Sequence, residues 1–212
     1  NVNHHYDISD DLYDLFLDPK RQYSCAYFNN ENDTLETAQN NKINHIIKKL
    51  NIKPNQKVLD IGCGWGSLAI DIAKSAQCEV TGITLSKNQL NYCTQKAKEL
   101  NLENQVKFKL MDYRELNEKF DRIVSVGMFE HVGRKFYKKF FNQIDKLLSS
   151  NLSYYDIPLC VKSSYDLKFK NAESVDLLLK QTRYRRLIYM MPDHLFVHMP
   201  ETQLRAVLIY VL

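Results

Sequence analysis

The chain has 212 residues, a formal net charge of +4 and a hydrophobic content of 44%, which fit one globular domain and exclude a disordered chain. The charge suits an anionic membrane surface or a nucleic acid without selecting either, and no apolar run reaches the roughly 18 residues that cross a bilayer. The five cysteines include no C-x-x-C pair, which argues against a disulfide framework or a zinc site and favours a reducing cytoplasm.

Residues 1–56 are polar and aromatic and predict two helices, at 10–16 and at 34–50. Between the helices lies the apolar, aromatic loop RQYSCAYF at 21–28. Pro54 ends the segment just before an apolar strand. We expect residues 1–56 to form a helical lid over the edge of the following core rather than a separate domain.

Residues 57–150 alternate between strand and helix patterns. The predicted strands cover 57–61, 78–84, 106–110 and 121–126, and the predicted helices cover 66–76, 87–100 and 135–149. This alternation predicts an α/β fold with a doubly wound, mostly parallel, Rossmann-like sheet. The ligand of such a sheet binds at the carboxyl ends of the strands, where Gly62, Thr84, Asp112 and Gly127 lie.

Residues 151–212 are expected to complete the sheet. The segment LSYYDIPLCV at 152–161 has the composition of a strand, but Pro158 restricts it to a sheet edge or a loop. Further along the chain, a helix is predicted at 172–182 and strands within 184–191 and 204–212.

The segment VLDIGCGWG at 58–66 predicts a tight turn from the first strand into the next helix. Gly62 and Gly64 allow positive φ and a close approach of a ligand to the backbone, and the helix offers unpaired N–H groups. The spacing is G-x-G-x-G rather than the dinucleotide pattern G-x-G-x-x-G, because Ser67 stands where the third glycine would let helix and strand touch. The Lys-Ser/Thr end of a phosphate loop is absent as well. The turn therefore favours a nucleoside without phosphate, namely S-adenosylmethionine.

Several other segments have a recognisable order along the chain. They are HHYDIS, LYDLFLD, RQYSCAYF, TLETAQ, VLDIGCGWG, GITLSKNQ, MDYREL, DRIVSVGMFEHVG and KFYKKFF. Over about residues 3–150, they resemble the cyclopropane fatty acid synthase family, which includes the mycolic acid cyclopropane synthases. YSCAYF and GMFEHVG are more specific than the glycine turn, which most S-adenosylmethionine methyltransferases share in some form.

The resemblance implies a class I methyltransferase fold and transfer of an activated methyl group to the cis double bond of an unsaturated phospholipid acyl chain. The alkene attacks the methyl carbon, a carbocation forms, and loss of a proton to a bicarbonate ion closes the cyclopropane ring. Such an enzyme would be cytoplasmic and peripherally associated with the membrane, and a homodimer is compatible with it. Nucleic acid is not the expected partner, because no N-P-P-Y or S-P-P-Y motif follows the fourth strand.

The resemblance also assigns a set of residues to the cofactor. They are Tyr23, Ser24, Asp60, Gly62, Cys63, Gly64, Thr84, Leu85, Gln89, Asp112, Tyr113 and Arg114. Asp112 would accept a hydrogen bond from the adenine amino group, Tyr113 would flank the ring, and Gln89 would supply a hydrogen bond. One alternative stays open for each of two loops. After the second strand, Ser86 would cap a helix and Gln89 would be exposed; after the third strand, Asp112 would lie in a solvated loop.

The catalytic residues implied by the resemblance are Cys25 and Glu130, both at the bicarbonate position. Glu130 would accept the O–H of the ion and orient the base. The alternatives are an inert Cys25, and a Glu130 that stabilises the N-terminus of a helix while His131 is structural. No metal site is expected.

The resemblance ends after Ser150. The histidine, isoleucine and tyrosine that complete the family's bicarbonate site have no match, and no role is transferred to His194, His198, Tyr155 or Tyr165. The chain is therefore either truncated or rearranged, or it has diverged. Two other functions remain open: methylation of another small acceptor such as an amine, and a cofactor-binding fragment without activity.

Overall fold

The computed structural model describes residues 10–149 and three short strand segments at 159–161, 188–189 and 207–210. In this part of the chain the α-helices are α1 (Asp10–Phe16), α2 (Leu35–Leu50), α3 (Ser67–Ser75), α4 (Lys87–Glu99) and α5 (Tyr137–Leu147). The strands are β1 (Lys57–Ile61), β2 (Glu79–Thr84), β3 (Val106–Leu110), β4 (Arg122–Val126), β5 (Leu159–Val161), β6 (Ile188–Tyr189) and β7 (Val207–Tyr210). Short 3₁₀ turns lie at Tyr113–Glu115, Phe129–His131 and Arg134–Phe136.

The strands form one sheet in the order β3-β2-β1-β4-β7-β5-β6. Every described pairing is parallel, and β1 lies between β2 and β4, with Asp60 opposite both Gly82 and Val124. Parallel neighbours require a crossover connection between consecutive strands, and α3 and α4 supply the first two. The predicted α/β fold with a parallel sheet is confirmed.

Alternate residues of each central strand contact helices on opposite faces of the sheet, as the period of two in a strand requires. On one face, Val58 and Val124 belong to a core shared with α2, α3 and the end of α4. On the other face, Leu59 and Ile123 pack in a second core that contains Phe140 of α5. Burial on both faces explains why apolar residues stand next to each other in the central strands, as in Val58-Leu59 and Ile123-Val124, instead of alternating with polar residues.

Helix α2 is part of the first core, where Ile43, Ile46 and Leu50 are almost completely buried. The carbonyl oxygen of Leu50 also accepts a hydrogen bond of 2.8 Å from Nε of the buried Arg122 at the start of β4. Helix α2 is therefore a layer of the α/β core, and the loop that precedes it is the part of the N-terminal segment that approaches the strand ends.

The tail departs from the expectation that Pro158 confines its first strand to an edge or a loop. Strand β5 lies inside the sheet, where Cys160 pairs with both Ile188 of β6 and Leu208 of β7. Pro158 directly precedes the strand, so it removes no donor from this short ladder. The predicted strands within 184–191 and 204–212 are present as β6 and β7, whereas the helix predicted at 172–182 lies outside the described residues.

Candidate cofactor site

A cavity of about 950 Å³ opens at the carboxyl ends of β1, β2 and β4. Its volume is within the range of small-molecule sites. All of the residues that the sequence assigns to the cofactor line it, namely Tyr23, Ser24, Asp60, Gly62, Cys63, Gly64, Thr84, Leu85, Gln89, Asp112, Tyr113 and Arg114. The structure thus brings together, around a single cavity, residues that are spread over more than ninety positions of the sequence.

The glycine turn exposes its backbone to this cavity. The N–H groups of Gly62 and Cys63 both donate to the carbonyl oxygen of Ile83, at 3.0 and 2.9 Å, which fixes the turn against β2. Gly64 has φ of 55°, and a Cβ built on it would meet no atom within 4 Å. The space beyond Gly64 is therefore open to a ligand that approaches the bare backbone.

The close contact between helix and sheet occurs at Gly66, one residue before the position predicted from the dinucleotide pattern. Gly66 has φ of 82°, and a Cβ on it would lie 2.5 Å from Cβ of Cys93 and 2.7 Å from Cζ of Phe108. Ser67 is free to begin α3 because the residue before it already provides this contact. The pattern G-x-G-x-G therefore keeps the packing role of the third glycine and moves it by one residue.

Asp60 ends β1 as a buried carboxyl group at the wall of the cavity. It is 2% exposed, and among the described residues its Oδ2 has no hydrogen-bond partner. Burial raises the pKa of Asp60 to about 7. A buried carboxyl oxygen without a partner is costly, and a ligand that donates a hydrogen bond or carries a positive charge would compensate for it.

Asp60 should make the stability of the free protein depend on pH. The shift of its pKa from 3.8 to about 7, at about 1.4 kcal/mol per unit, corresponds to on the order of 4 kcal/mol. Because the folded chain holds this proton more tightly than the unfolded chain, the free energy of unfolding should fall as the pH rises through this window. Urea unfolding at pH 5 and pH 8 should show a smaller difference for Asp60→Asn than for the unchanged protein. The exposed Asp145→Asn should leave the difference as it was, and an unchanged difference in Asp60→Asn would contradict the assignment.

The loop after β2 combines a helix cap with a buried amide. The Ser86 hydroxyl caps α4 by accepting from the Gln89 N–H at 3.3 Å, as predicted. The Gln89 side chain is buried, so the alternative with Gln89 exposed is wrong. Its Oε1 accepts a hydrogen bond of 2.7 Å from the Thr84 hydroxyl, which leaves the amide NH₂ as the group that Gln89 can offer to a ligand.

The loop after β3 contains an ion pair that the sequence did not reveal. Nε and Nη2 of Arg114 donate to the two carboxylate oxygens of Asp112, at 2.9 and 2.6 Å. The side-chain hydrogen bond from Arg114 holds the pKa of Asp112 below its usual value. Asp112 is therefore an ionised acceptor whose orientation is fixed by Arg114. The Tyr113 ring is anchored by an edge contact to Phe140, with centroids 5.1 Å apart.

The two lid residues lie on the loop that precedes α2. Tyr23 is half exposed and contacts Tyr13 and Phe16 of α1, with ring centroids 5.7 and 6.0 Å away. The Ser24 side chain is fixed to α2, because its Oγ accepts a hydrogen bond of 2.5 Å from Nζ of Lys42. Both residues line the cavity.

The two predicted catalytic residues are placed differently. Cys25 follows Ser24 but has an exposed thiol and is not among the residues that line the cavity. Glu130 lies in the 3₁₀ turn Phe129–His131 directly after β4, and its side chain lies outside the described part of the structure. The neighbouring His131, which was expected to be structural, does line the cavity. The catalytic roles of Cys25 and Glu130 remain predictions.

Sequence reasoning missed several residues of the site. An apolar wall is formed by Met111, Met128, Val132 and Phe136, of which the first three pack against the second core. Ile43 and Ile46 line the cavity from the first core, and polar or aromatic contributions come from Arg21, Lys42 and Trp65. Lys42 had a signal in the sequence, because it stands four residues after Ala38 and four before Ile46 on an otherwise apolar helix face. The apolar wall had none, since its residues come from separate elements.

Among the described side chains, no group of three His, Cys, Asp or Glu residues is arranged to hold a metal ion. Within the same ranges, no helix combines the length and the apolar character that a bilayer crossing demands. The residues at the cavity do fit an S-adenosylmethionine-type cofactor, because the space beyond Gly64 is open and the buried Asp60 lacks a hydrogen-bond partner among the described residues.

A parallel sheet with a glycine turn and a cavity at the strand ends defines a Rossmann-like fold, and two solved structures that match it were determined with SAH. The crystal structure of mycolic acid cyclopropane synthase CmaA1 complexed with SAH and CTAB matches with a TM-score of 0.67 and 41% identity, over 70% of this chain and 52% of that one. Coclaurine N-methyltransferase, bound to N-methylheliamine and SAH, matches with a TM-score of 0.63 and 30% identity, over 68% of this chain and 42% of that one.

The family model for mycolic acid cyclopropane synthetase matches residues 1–155, and the chain belongs to this family. Cyclopropane-fatty-acyl-phospholipid synthase of Escherichia coli strain K12 is 48% identical over 144 residues, which are 68% of this chain. The same alignment covers 36% of the Escherichia coli protein, so the chain spans about a third of that relative.

Proposed function

We propose that the chain is an S-adenosylmethionine-dependent enzyme that converts the cis double bond of an unsaturated phospholipid acyl chain into a cyclopropane. Its membership of the family over residues 1–155 supports the reaction class. The observation that carries the proposal is the convergence of the predicted cofactor residues on one cavity at the strand ends.

In this proposal the cofactor supplies an activated methyl group, and the residues of the chain bind and orient it. The glycine turn approaches its amino-acid and ribose parts, and Gln89 offers an amide donor. Asp112, fixed by Arg114, accepts from the adenine amino group beside Tyr113. The buried carboxyl group of Asp60 compensates part of the positive charge of the cofactor, and the low dielectric of the protein interior strengthens the attraction between these two charges.

The apolar wall of the cavity is the surface proposed to receive the acyl chain. It reaches the mouth of the cavity at Phe136, which is 51% exposed. Lys135, Lys138 and Lys139 are exposed beside it, and Nζ of Lys139 lies 5.8 Å from the Phe136 ring centroid. An exposed aromatic ring among lysines suits the headgroup region of an anionic membrane, so we propose peripheral binding at the cytoplasmic face.

The proposed base is a bicarbonate ion held near Glu130 and Cys25. Support for it comes from the sequence motifs and from the position of Glu130 in a turn whose neighbours Met128 and His131 line the cavity. The family's histidine, isoleucine and tyrosine have no counterpart in the sequence of residues 151–212. Sedimentation velocity of the purified chain distinguishes a homodimer from a monomer.

The function is tested by incubating the chain with methyl-labelled S-adenosylmethionine and vesicles of a cis-unsaturated anionic phospholipid. The expected product is a labelled cyclopropane fatty acid, identified by gas chromatography and mass spectrometry of the acyl chains. Vesicles of a fully saturated lipid are the control and should give no label. Binding of SAH without labelling of any lipid would instead show a cofactor-binding protein without this activity.

Amine N-methylation is the second candidate, because coclaurine N-methyltransferase shares the fold at 30% identity. It predicts labelled product from small cyclic amines in the absence of lipid. Turnover of such amines, together with no product from unsaturated vesicles, would replace the lipid proposal.

A further inference from the structure

Lys42 is a buried cation at the wall of the cavity. Its side chain projects from α2, and the residue is 3% exposed. The partners of its Nζ are two neutral oxygen atoms, Oγ of Ser24 at 2.5 Å and Oε1 of Gln39 at 2.6 Å. Among the described residues, no carboxylate forms an ion pair with it. A buried ammonium group without a bonded carboxylate is costly, which suggests that the missing anion is a ligand.

Lys42 keeps its positive charge at neutral pH. Desolvation lowers the pKa of Lys42 to about 8, while the negative charge of the nearby Asp18 partly opposes that effect. Lys42 is therefore still mostly protonated at pH 7. Three other cationic side chains line the cavity in the described part of the chain. Arg21 pairs with Asp14 and Arg114 pairs with Asp112, whereas Lys139 is exposed and has its Nζ 5.8 Å from the Phe136 ring centroid.

The hydrogen bonds around Lys42 also fix the loop that carries Ser24. Nε2 of Gln39 donates to the carbonyl oxygens of Gln22 and Ser24, at 3.2 and 2.9 Å. Gln22 in turn donates from its backbone N–H to Oδ1 of Asp18, at 2.8 Å. This chain of bonds holds the loop against α2, so that Ser24 and Lys42 form a rigid pair.

The bond from Lys42 determines what Ser24 can do. Because Oγ of Ser24 accepts from Nζ, the hydroxyl hydrogen has to point to a different acceptor. Among the described residues, none accepts from this hydroxyl. Ser24 and Lys42 both line the cavity, so the hydroxyl hydrogen and the third Nζ hydrogen are donors for a ligand there. An anionic group with two oxygen atoms matches this pair of donors.

We propose that Lys42 is a positioning residue for the carboxylate at the amino-acid end of the cofactor, acting through its charge and through the Ser24 hydroxyl that it orients. This inference rests on the proposed S-adenosylmethionine site. It assigns the two ends of the cavity: the carboxylate lies at the α2 side, and the adenine lies at the loop after β3.

The test compares two ligands that differ only at the amino-acid end. SAH has the carboxylate, whereas 5′-methylthioadenosine keeps the nucleoside and lacks the amino acid. Calorimetric titration of Lys42→Met should show SAH affinity reduced by about tenfold or more, with 5′-methylthioadenosine affinity within about twofold of the unchanged protein. The matched control is Lys48→Met, which removes an exposed lysine from the same helix and should change neither affinity.

Equal losses for both ligands in Lys42→Met would overturn the proposal, because they would reflect damage to the site as a whole. Unchanged binding of SAH would overturn it as well. Ser24→Ala provides a second variant in case Lys42→Met does not fold, and it should weaken SAH selectively by a smaller factor. If the unchanged protein binds neither ligand, the proposed cofactor itself fails, which is a different result from parallel losses in a variant.

Discussion

Replacing Gly64 with leucine is expected to reduce the affinity for SAH by about 100-fold or more, equal to about 2.7 kcal/mol of binding free energy. A Cβ built on Gly64 would meet no protein atom within 4 Å, so the leucine side chain has room to enter the cavity. It would occupy the space in which the glycine turn is proposed to meet the cofactor. Fluorescence or calorimetric titration of the purified variant with SAH measures the loss directly.

The control for Gly64→Leu is Gly133→Leu. Gly133 has φ of 76°, and a Cβ on it also meets nothing within 4 Å, but Gly133 does not line the cavity. Both substitutions place a side chain in the left-handed region, at a cost of about 1 kcal/mol or more in folding stability. A loss of SAH affinity in Gly64→Leu alone separates blockage of the cavity from backbone strain. Similar losses in both variants would show that strain, rather than a bound ligand, explains the result.

The sequence predicted the elements of the core because local patterns determine them. Residues 58–61 form a run buried on both faces, and Ser86 caps α4 with a side chain three residues away from its donor. The glycine turn predicted the place of the site because its backbone geometry is local as well. What could be predicted was therefore contained within a few neighbouring residues.

The features that escaped prediction depend on contacts between distant segments. The interior position of β5 follows from pairing with strands about 30 to 50 residues further along the chain. The role of Gly66 depends on Phe108, which approaches it from another strand. Periodicity places Lys42 on the apolar face of α2, but its contact with Ser24 depends on a loop eighteen residues earlier in the chain. Periodicity marks a face of a helix, but it does not reveal what lies opposite that face.

The substitution of Glu130 with glutamine should have the largest effect on turnover. Glutamine keeps the size of the side chain but replaces the charged carboxylate with a neutral amide, whose oxygen accepts the O–H of the proposed bicarbonate ion more weakly. We expect the rate of cyclopropane formation to fall by about 10² to 10⁴, the usual contribution of a positioned acid or base. The affinity for SAH should stay within about threefold, because the cofactor residues are unchanged. Labelled product from unsaturated vesicles and SAH titration measure the two quantities.

Glu115→Gln is the matched control, since Glu115 is an exposed acidic residue in another 3₁₀ turn and does not line the cavity. It should leave the rate unchanged. Removing dissolved carbon dioxide should slow the unchanged protein and have little further effect on Glu130→Gln, because one ion links both changes. If Glu130→Gln retains the full rate, Glu130 instead stabilises the turn after β4. If the rate of Glu130→Gln falls but the rate of the unchanged protein does not depend on bicarbonate, the Glu130 carboxylate acts without a bicarbonate ion. Glu130 itself then accepts the proton whose loss closes the cyclopropane ring.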